Sequence, residues 1–305
     1  LYYVCRMSLN VVKKPLVDDG ILTEQQLGIV GSALFFTYAV GKFTNGFLGD
    51  RVNITRFMAV GLIISSLVNI FLGLSHSFWI FIILWGVNGW VQSMGAPSSV
   101  VGLSRWFADK ERGSYYGFWS ASHNIGEAIT FIATAFIVSI AGWRYGFGAA
   151  GIAGLIGAAV ILIFMKDSPT SQGLPSVMPP KEREKSAGKA QLEVLKNPYI
   201  WILALSSACM YVSRYAINSW GIFFLENQKA YSSVEASSIV AVSAVCGIVG
   251  TVLSGFLSDK LFKSNRVIPA VIFGICNAIA IALFVLVPGG YYYIDIASMI
   301  LFGLS

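Results

Sequence analysis

The amino-acid sequence predicts an all-α polytopic membrane protein of two six-helix repeats, with about ten membrane spans present. Three observations carry this prediction. Of the 305 residues 56% are hydrophobic and only 12% are charged, with a mean hydropathy of +0.70. A soluble domain carries about twice that share of charge. Apolar runs of roughly 20 residues, the helical length that crosses a bilayer, recur along the whole chain. Two landmarks also return at nearly one period. Tyr3-Val4-Cys5-Arg6-Met7-Ser8-Leu9-Asn10 recurs 208 positions on as Tyr211-Val212-Ser213-Arg214-Tyr215-Ala216-Ile217-Asn218. The stretch from Gly41 to Asp50-Arg51 recurs 209 positions on as Gly250 to Asp259-Lys260. Duplicated units in the same orientation are related by an axis along the membrane normal, and place a ligand site between the halves near mid-depth.

The spans lie near residues 1–16, 24–49, 54–74, 77–104, 113–140, 144–165, 199–224, 232–257, 267–288 and 291–305. The connectors alternate in charge. One set holds most of the 21 Lys and Arg residues, among them Arg51, Arg56, Arg105, Lys166 and Lys260, while the opposite set holds Lys13, Lys14, Arg144 and Lys229. The positive-inside rule puts the richer set in the cytoplasm of a cell (inner) membrane protein. The formal charge of +6 is therefore a topology signal with the lipid bilayer as partner, rather than a footprint for nucleic acid. Residues 167–196, with Pro169, Pro175, Pro179 and Pro180 beside a Lys/Glu cluster, suit a cytoplasmic linker. The chain thus divides into an N-terminal bundle (1–166), this linker, and the first four helices of a C-terminal bundle (197–305). The first and last spans read as incomplete, so both ends of a longer protein are expected to be missing.

Several chemistries find no support. Cys5, Cys209, Cys246 and Cys276 all lie in apolar spans without CxxC spacing, which suits small packing residues. Gly146-Phe147-Gly148-Ala149-Ala150-Gly151 matches G-x-G-x-x-G, but it sits inside an apolar helix with no strand before it, where small residues serve close helix packing. No P-loop, HExxH motif or paired Cys/His metal spacing occurs. No cofactor, metal or ATP site is expected, and no nucleophile–base pair suggests an enzyme.

The polar residues inside the spans carry the functional reading. Burying an arginine at a helix centre costs about 2.5–3.5 kcal/mol on insertion scales. Arg6 and Arg214 occupy equivalent places in the two repeats, and two like charges held there need an anionic partner. A phosphate dianion meets both guanidinium forks bidentately, a geometry lysine cannot reproduce. The alternative is that both side chains snorkel to an interface. Lys42 is either a substrate contact or a partner for a carboxylate or carbonyl. His123 lies one helical turn before Glu127, on the same face, where a carboxylate would favour the charged imidazole. Glu127 itself is expected to pair with Lys42 or His123, or to act at the site. Among the aromatics, Tyr38 is the leading ligand contact.

The Gly-x-x-x-Asp-basic loop, from Gly46 to Arg51 and again from Gly255 to Lys260, resembles the signature loop of the major facilitator superfamily. There Asp50, Arg51, Asp259 and Lys260 have a gating or structural role. Lys110-Glu111-Arg112-Gly113, Phe118 to Gly126, Asp167-Ser168-Pro169, Gly173-Leu174-Pro175 and Asn197-Pro198-Tyr199-Ile200-Trp201 are similar to the organophosphate:phosphate antiporters of that superfamily. The resemblance implies a major facilitator fold and exchange of an organic phosphate, hexose phosphate or glycerol-3-phosphate, for inorganic phosphate by alternating access. It puts the phosphate-binding arginines on Arg6 and Arg214, the fifth-helix histidine on His123 and the second-helix lysine on Lys42. Glu127 departs from the pattern, which has a small residue there. The stretch 197–220 resembles the hexose-phosphate sensor branch most, so a membrane sensor with a signalling partner stays open, as does a facilitator for a non-phosphate anion.

Overall fold

The computed structural model describes residues 1–49, 52–175, 196–260 and 267–305. In chain order the helices are α1 (Tyr2–Asp18), α2 (Glu24–Gly49), α3 (Ile54–Leu74), α4 (Phe78–Gln92), α5 (Gly95–Trp106), α6 (Asp109–Ala141) and α7 (Trp143–Phe164). After a 3-10 turn at Thr170–Gln172 come α8 (Pro198–Gln228), α9 (Ser233–Lys260), α10 (Val267–Leu286) and α11 (Tyr292–Leu304). Seven of these are long and apolar enough to cross a membrane. The other expected spans are shorter or interrupted. α1 has 17 residues and carries Arg6, Lys13 and Lys14, and α11 has 13.

The span expected at 77–104 is broken into α4 and α5 by a turn at Ser93-Met94. Pro97 explains the break: it has no N–H to give the Ser93 carbonyl, and its ring clashes with that carbonyl in a continuous helix. The gap is sealed from α2, where Asn45 Nδ2 donates to Ser93 Oγ at 2.7 Å and to the Trp90 carbonyl at 3.1 Å.

The repeat extends to the helix caps. Before α2, Thr23 and Gln26 exchange side-chain and backbone hydrogen bonds. At the equivalent place 209 positions on, Ser232 and Glu235 do the same before α9. Both are capping boxes, which satisfy N–H groups that helix starts leave orphaned. At the other end of the bundle, Asp167 Oδ1 accepts from Ile54 N–H at 2.7 Å and Arg105 Nη1 at 2.9 Å. The first residue of the expected linker is thereby tied to the N-terminal bundle. Residues 176–195 of that segment lie outside the described residues.

Within the N-terminal half α3 packs along α7 and α2 along α4, while α1 lies against α6 and α7. Lipid gives helices no hydrophobic reason to associate, so small residues and buried hydrogen bonds hold them. The glycines of α7 show the first device. A Cβ on Gly151 would meet the Ser66 carbonyl at 2.7 Å, and one on Gly154 would meet Cys5 Sγ at 2.6 Å. Within the G-x-G-x-x-G stretch Gly146 packs against α6 and α1 and Gly151 against α3, whereas Gly148 has no neighbour within 4 Å. Gly89 on α4 plays the same part against α2, where a Cβ would collide with the Leu34 carbonyl. Gly89→Ala is expected to destabilise the protein by about 1–3 kcal/mol, the cost of overpacking against backbone. Thermal unfolding in detergent reads this out, with Gly148→Ala, which faces open space, as the neutral control.

The halves meet along α6 with α9 and along α1 with α8. One apolar cluster spans this junction, joining Met7 and Val11 of α1 and Phe131 of α6 to Ile217 and Leu225 of α8. Among the cysteines, Cys5 is buried as a packing residue, whereas Cys209 is exposed on α8.

Candidate functional site

The site is built outward from α1. Ser8 Oγ donates to Asn69 Oδ1 at 2.7 Å, and the Asn69 and Asn88 amides both donate to the Cys5 carbonyl, at 2.8 and 3.1 Å. Ser65 and Gln92 continue this chain from α3 to α4–α5. A buried network with its members satisfied rigidifies the helix it anchors. It fixes α1 immediately beside Arg6.

Arg6 is 6% exposed, so the snorkelling alternative does not describe it. Its guanidinium lies 4.3 Å from the centroid of the Tyr38 ring, with Tyr215 at 5.6 Å and Phe35 at 5.8 Å. Cation–π contacts of this kind hold a cation without neutralising it. One terminal nitrogen, Nη2, is buried with no hydrogen-bond partner among the described residues. The group borders a cavity of about 520 Å3 that is also lined by Asn10, Lys13, Ser32, Tyr215, Ser219 and Trp220. Among the described residues no aspartate or glutamate lines this cavity.

Arg214 on α8 is held differently. Its Nη2 donates to Asn124 Oδ1 at 2.9 Å and lies 3.5 Å from Glu127 Oε2, both on α6. Glu127 is 2% exposed, and its other oxygen has no hydrogen-bond partner among the described residues. These three residues, with Asn218, Ser243 and Asn277, line a second cavity of about 320 Å3. Tyr211 borders both cavities, and Arg6 and Arg214 are both near enough to Glu127 for their charges to act on it. The expected pairing of Glu127 with Lys42 or His123 is therefore corrected: its partner is Arg214, across the junction between halves. Glu127→Gln is expected to raise the affinity of this site for a small anion about tenfold, because a carboxylate a few ångströms from an arriving anion opposes it by more than 1 kcal/mol. Equilibrium binding measures this, and a weaker affinity in the variant counts against a competing role for Glu127.

His123 lies beside this pair without bonding to Glu127. Its Nδ1 is 2.9 Å from the Ser120 carbonyl, and its ring meets Tyr3 and Trp119 edge-on at 5.2 and 4.6 Å. Nδ1 is thus the protonated nitrogen. The i, i+4 spacing put His123 and Glu127 on one face, but Glu127 turns to the stronger cation on α8. Lys42 is exposed, 5.0 Å from the Tyr38 ring centroid. Tyr38 thus presents its ring to two cations, Arg6 and Lys42. Asp50 and Arg51 lie outside the described residues, as do the side chains of Asp259 and Lys260.

Two buried lysines escaped the sequence reading, which placed both in connectors. Lys13 is 2% exposed inside α1, donates from Nζ to the Ser219 carbonyl and lies 3.9 Å from the Trp220 ring centroid. Its spacing of seven residues from Arg6, two helical turns on one face, was the available signal. Lys229 caps α8 and pairs with Asp295 on α11 at 2.5 Å, their side chains 2% and 0% exposed. Tyr231 donates to the other Asp295 oxygen at 2.9 Å. Burial first, and then the Asp295 carboxylate, push the Tyr231 phenol up to about 12, so it remains a donor at neutral pH.

The model of the Major Facilitator Superfamily matches residues 1–305. The chain is 38% identical over 289 residues to a probable hexose phosphate transport protein of Chlamydia pneumoniae, covering 87% of this chain and 63% of the relative. It is 33% identical over 314 residues to the membrane sensor protein UhpC of Salmonella typhimurium, covering 99% and 69%. It is 30% identical over 319 residues to a glycerol-3-phosphate transporter of Bacillus subtilis, covering 99% and 72%. The chain thus spans 63% of the length of the hexose phosphate transport protein it matches. Among solved structures, a bacterial homologue of the human lysosomal transporter Spinster, inward-facing and unoccupied, superposes with a TM-score of 0.79 at 21% identity, covering 99% of this chain and 70% of that one. The nucleoside transporter NupG superposes at 0.71 with 13% identity, covering 99% and 76%.

Proposed function

The chain belongs to the major facilitator superfamily, within the organophosphate:phosphate antiporter family, and on that premise we propose that it is part of a secondary transporter exchanging an organic phosphate for inorganic phosphate. The observation that carries this reading is Arg6. A guanidinium almost fully buried, with one N–H unpartnered and no carboxylate lining the cavity that the residue borders, among the described residues, is a site waiting for an anion. Arg214 is its counterpart in the other half, and is partly compensated by Glu127.

The mechanism follows from where the halves are tied. Lys13 to Ser219, and Asn227 to Glu24 at 3.4 Å, join them at the end that the charge pattern assigns to the non-cytoplasmic side. These ties support an arrangement closed to the outside and open to the cytoplasm. A phosphoryl group held by Arg6 and Arg214 draws the two halves together and stabilises the occluded state. An empty site leaves the Arg6 charge without a counter-ion in low dielectric, which slows reorientation. Obligatory exchange results, with His123, Lys42 and Tyr38 around the phosphoryl group and no ATP consumed. The membrane is the cell (inner) membrane, with the 167–196 segment in the cytoplasm.

Counterflow tests this. Vesicles containing the full-length protein and loaded with inorganic phosphate are expected to accumulate external hexose 6-phosphate or glycerol-3-phosphate. Equal uptake into phosphate-free vesicles contradicts exchange. The 33% identity to a membrane sensor favours a second reading, in which the same ligand is bound and reported to a signalling partner. Tight binding of sugar phosphate without flux selects it. Insensitivity of binding to inorganic phosphate selects a non-phosphate organic anion instead.

A further inference from the structure

The Arg6 cavity holds two cations, and only one has been assigned a ligand so far. Lys13 is as deeply buried as Arg6, and among the described residues no ion pair includes it. Its partners are both neutral, the Ser219 carbonyl and the Trp220 ring. An ammonium has three donors, and one carbonyl occupies one of them. A lysine at this depth costs about as much to bury as the arginine does, so a tie to one carbonyl is poor compensation. Asn10, between the two cations on the same face, adds an amide to the same wall. Seven residues of helix separate Arg6 from Lys13, about 10 Å along the axis, which is more than one phosphate can bridge without both side chains bending towards it.

We propose that Lys13, assisted by Asn10, forms a second anion subsite in the Arg6 cavity, so that the preferred ligand carries two separated anionic groups, as a sugar bisphosphate does. This rests on the reading of Arg6 as the phosphoryl-holding group. The second anion takes the place of the Ser219 carbonyl at Lys13. Ligand binding thereby loosens the tie between α1 and α8 that closes the non-cytoplasmic end. The ligand's length, and not only its phosphoryl group, then decides whether that end is released.

The test is displacement of radiolabelled inorganic phosphate from the full-length protein by a hexose 1,6-bisphosphate and by the matching hexose 6-phosphate. The ratio of the two affinities is the readout, since a general loss of folding or of inter-half contact lowers both alike. The wild type is expected to favour the bisphosphate at least tenfold, Lys13→Gln to bring the ratio near one, and Lys13→Arg to keep most of the preference. A ratio near one in the wild type, or one that Lys13→Gln leaves in place, overturns the second subsite and leaves the phosphate site standing. Failure of inorganic phosphate to bind at all, or of either sugar phosphate to displace it, overturns both.

Discussion

Arg6→Lys is expected to weaken binding of inorganic phosphate at least a hundredfold while leaving the protein folded. The charge is kept, so a purely Coulombic site would barely notice the change. The loss comes from geometry. A guanidinium presents a planar fork that grips two phosphate oxygens at once and lies flat on an aromatic ring, whereas an ammonium does neither. Arg6 lies 4.3 Å from the Tyr38 ring centroid, and that ring positions the fork at the cavity wall. Losing one or two charge-assisted hydrogen bonds at about 1.5–3 kcal/mol each accounts for the hundredfold. Equilibrium binding in detergent measures it, and a loss below tenfold would show that Arg6 is not the phosphate holder.

Asp295→Ala is expected to cost about 3–5 kcal/mol of stability, the usual penalty for stranding one member of a buried ion pair. Lys229 is 2% exposed and Asp295 fully buried, and nearby Phe224 and Phe284 offer rings but no counter-charge. Tyr231 loses its acceptor in the same change. The pair joins the end of α8 to the start of α11, so the variant should unfold at markedly lower temperature. Replacing both residues, Lys229→Met with Asp295→Leu, is expected to recover much of the loss, because an apolar pair of similar volume leaves no charge behind. A double variant no more stable than the single one contradicts this account.

How far these features were legible in the sequence differs from residue to residue. Arg6 and Arg214 were readable because the chain repeats itself: one intramembrane arginine has several explanations, and two at equivalent positions have few. The same repeat predicted parallel halves, which the capping boxes at Thr23 and Ser232 extend. Spacing within one helix was less reliable. It put Glu127 beside His123, but the carboxylate turns to Arg214, because a cation on the facing helix outcompetes an imidazole on its own. Lys13 was counted with Lys14 among the connector charges, at the end of the first expected span. The structure continues α1 to Asp18 through Pro15, and Lys13 is enclosed by α8. The break between α4 and α5 had its signal in Pro97, obscured by the apolar run around it. Nothing in the sequence linked Lys229 to Asp295, 66 positions apart; that contact depends on how α8 and α11 pack.

The central claim is that one anion engages a guanidinium from each half. A structure of the full-length protein with inorganic phosphate bound tests it most directly. The account predicts phosphate oxygens at about 2.7–2.9 Å, the length of charge-assisted hydrogen bonds, from both Arg6 and Arg214, with Arg214 drawn off Glu127. Phosphate held by one arginine alone, with Arg214 still on Asn124 and Glu127, would contradict it.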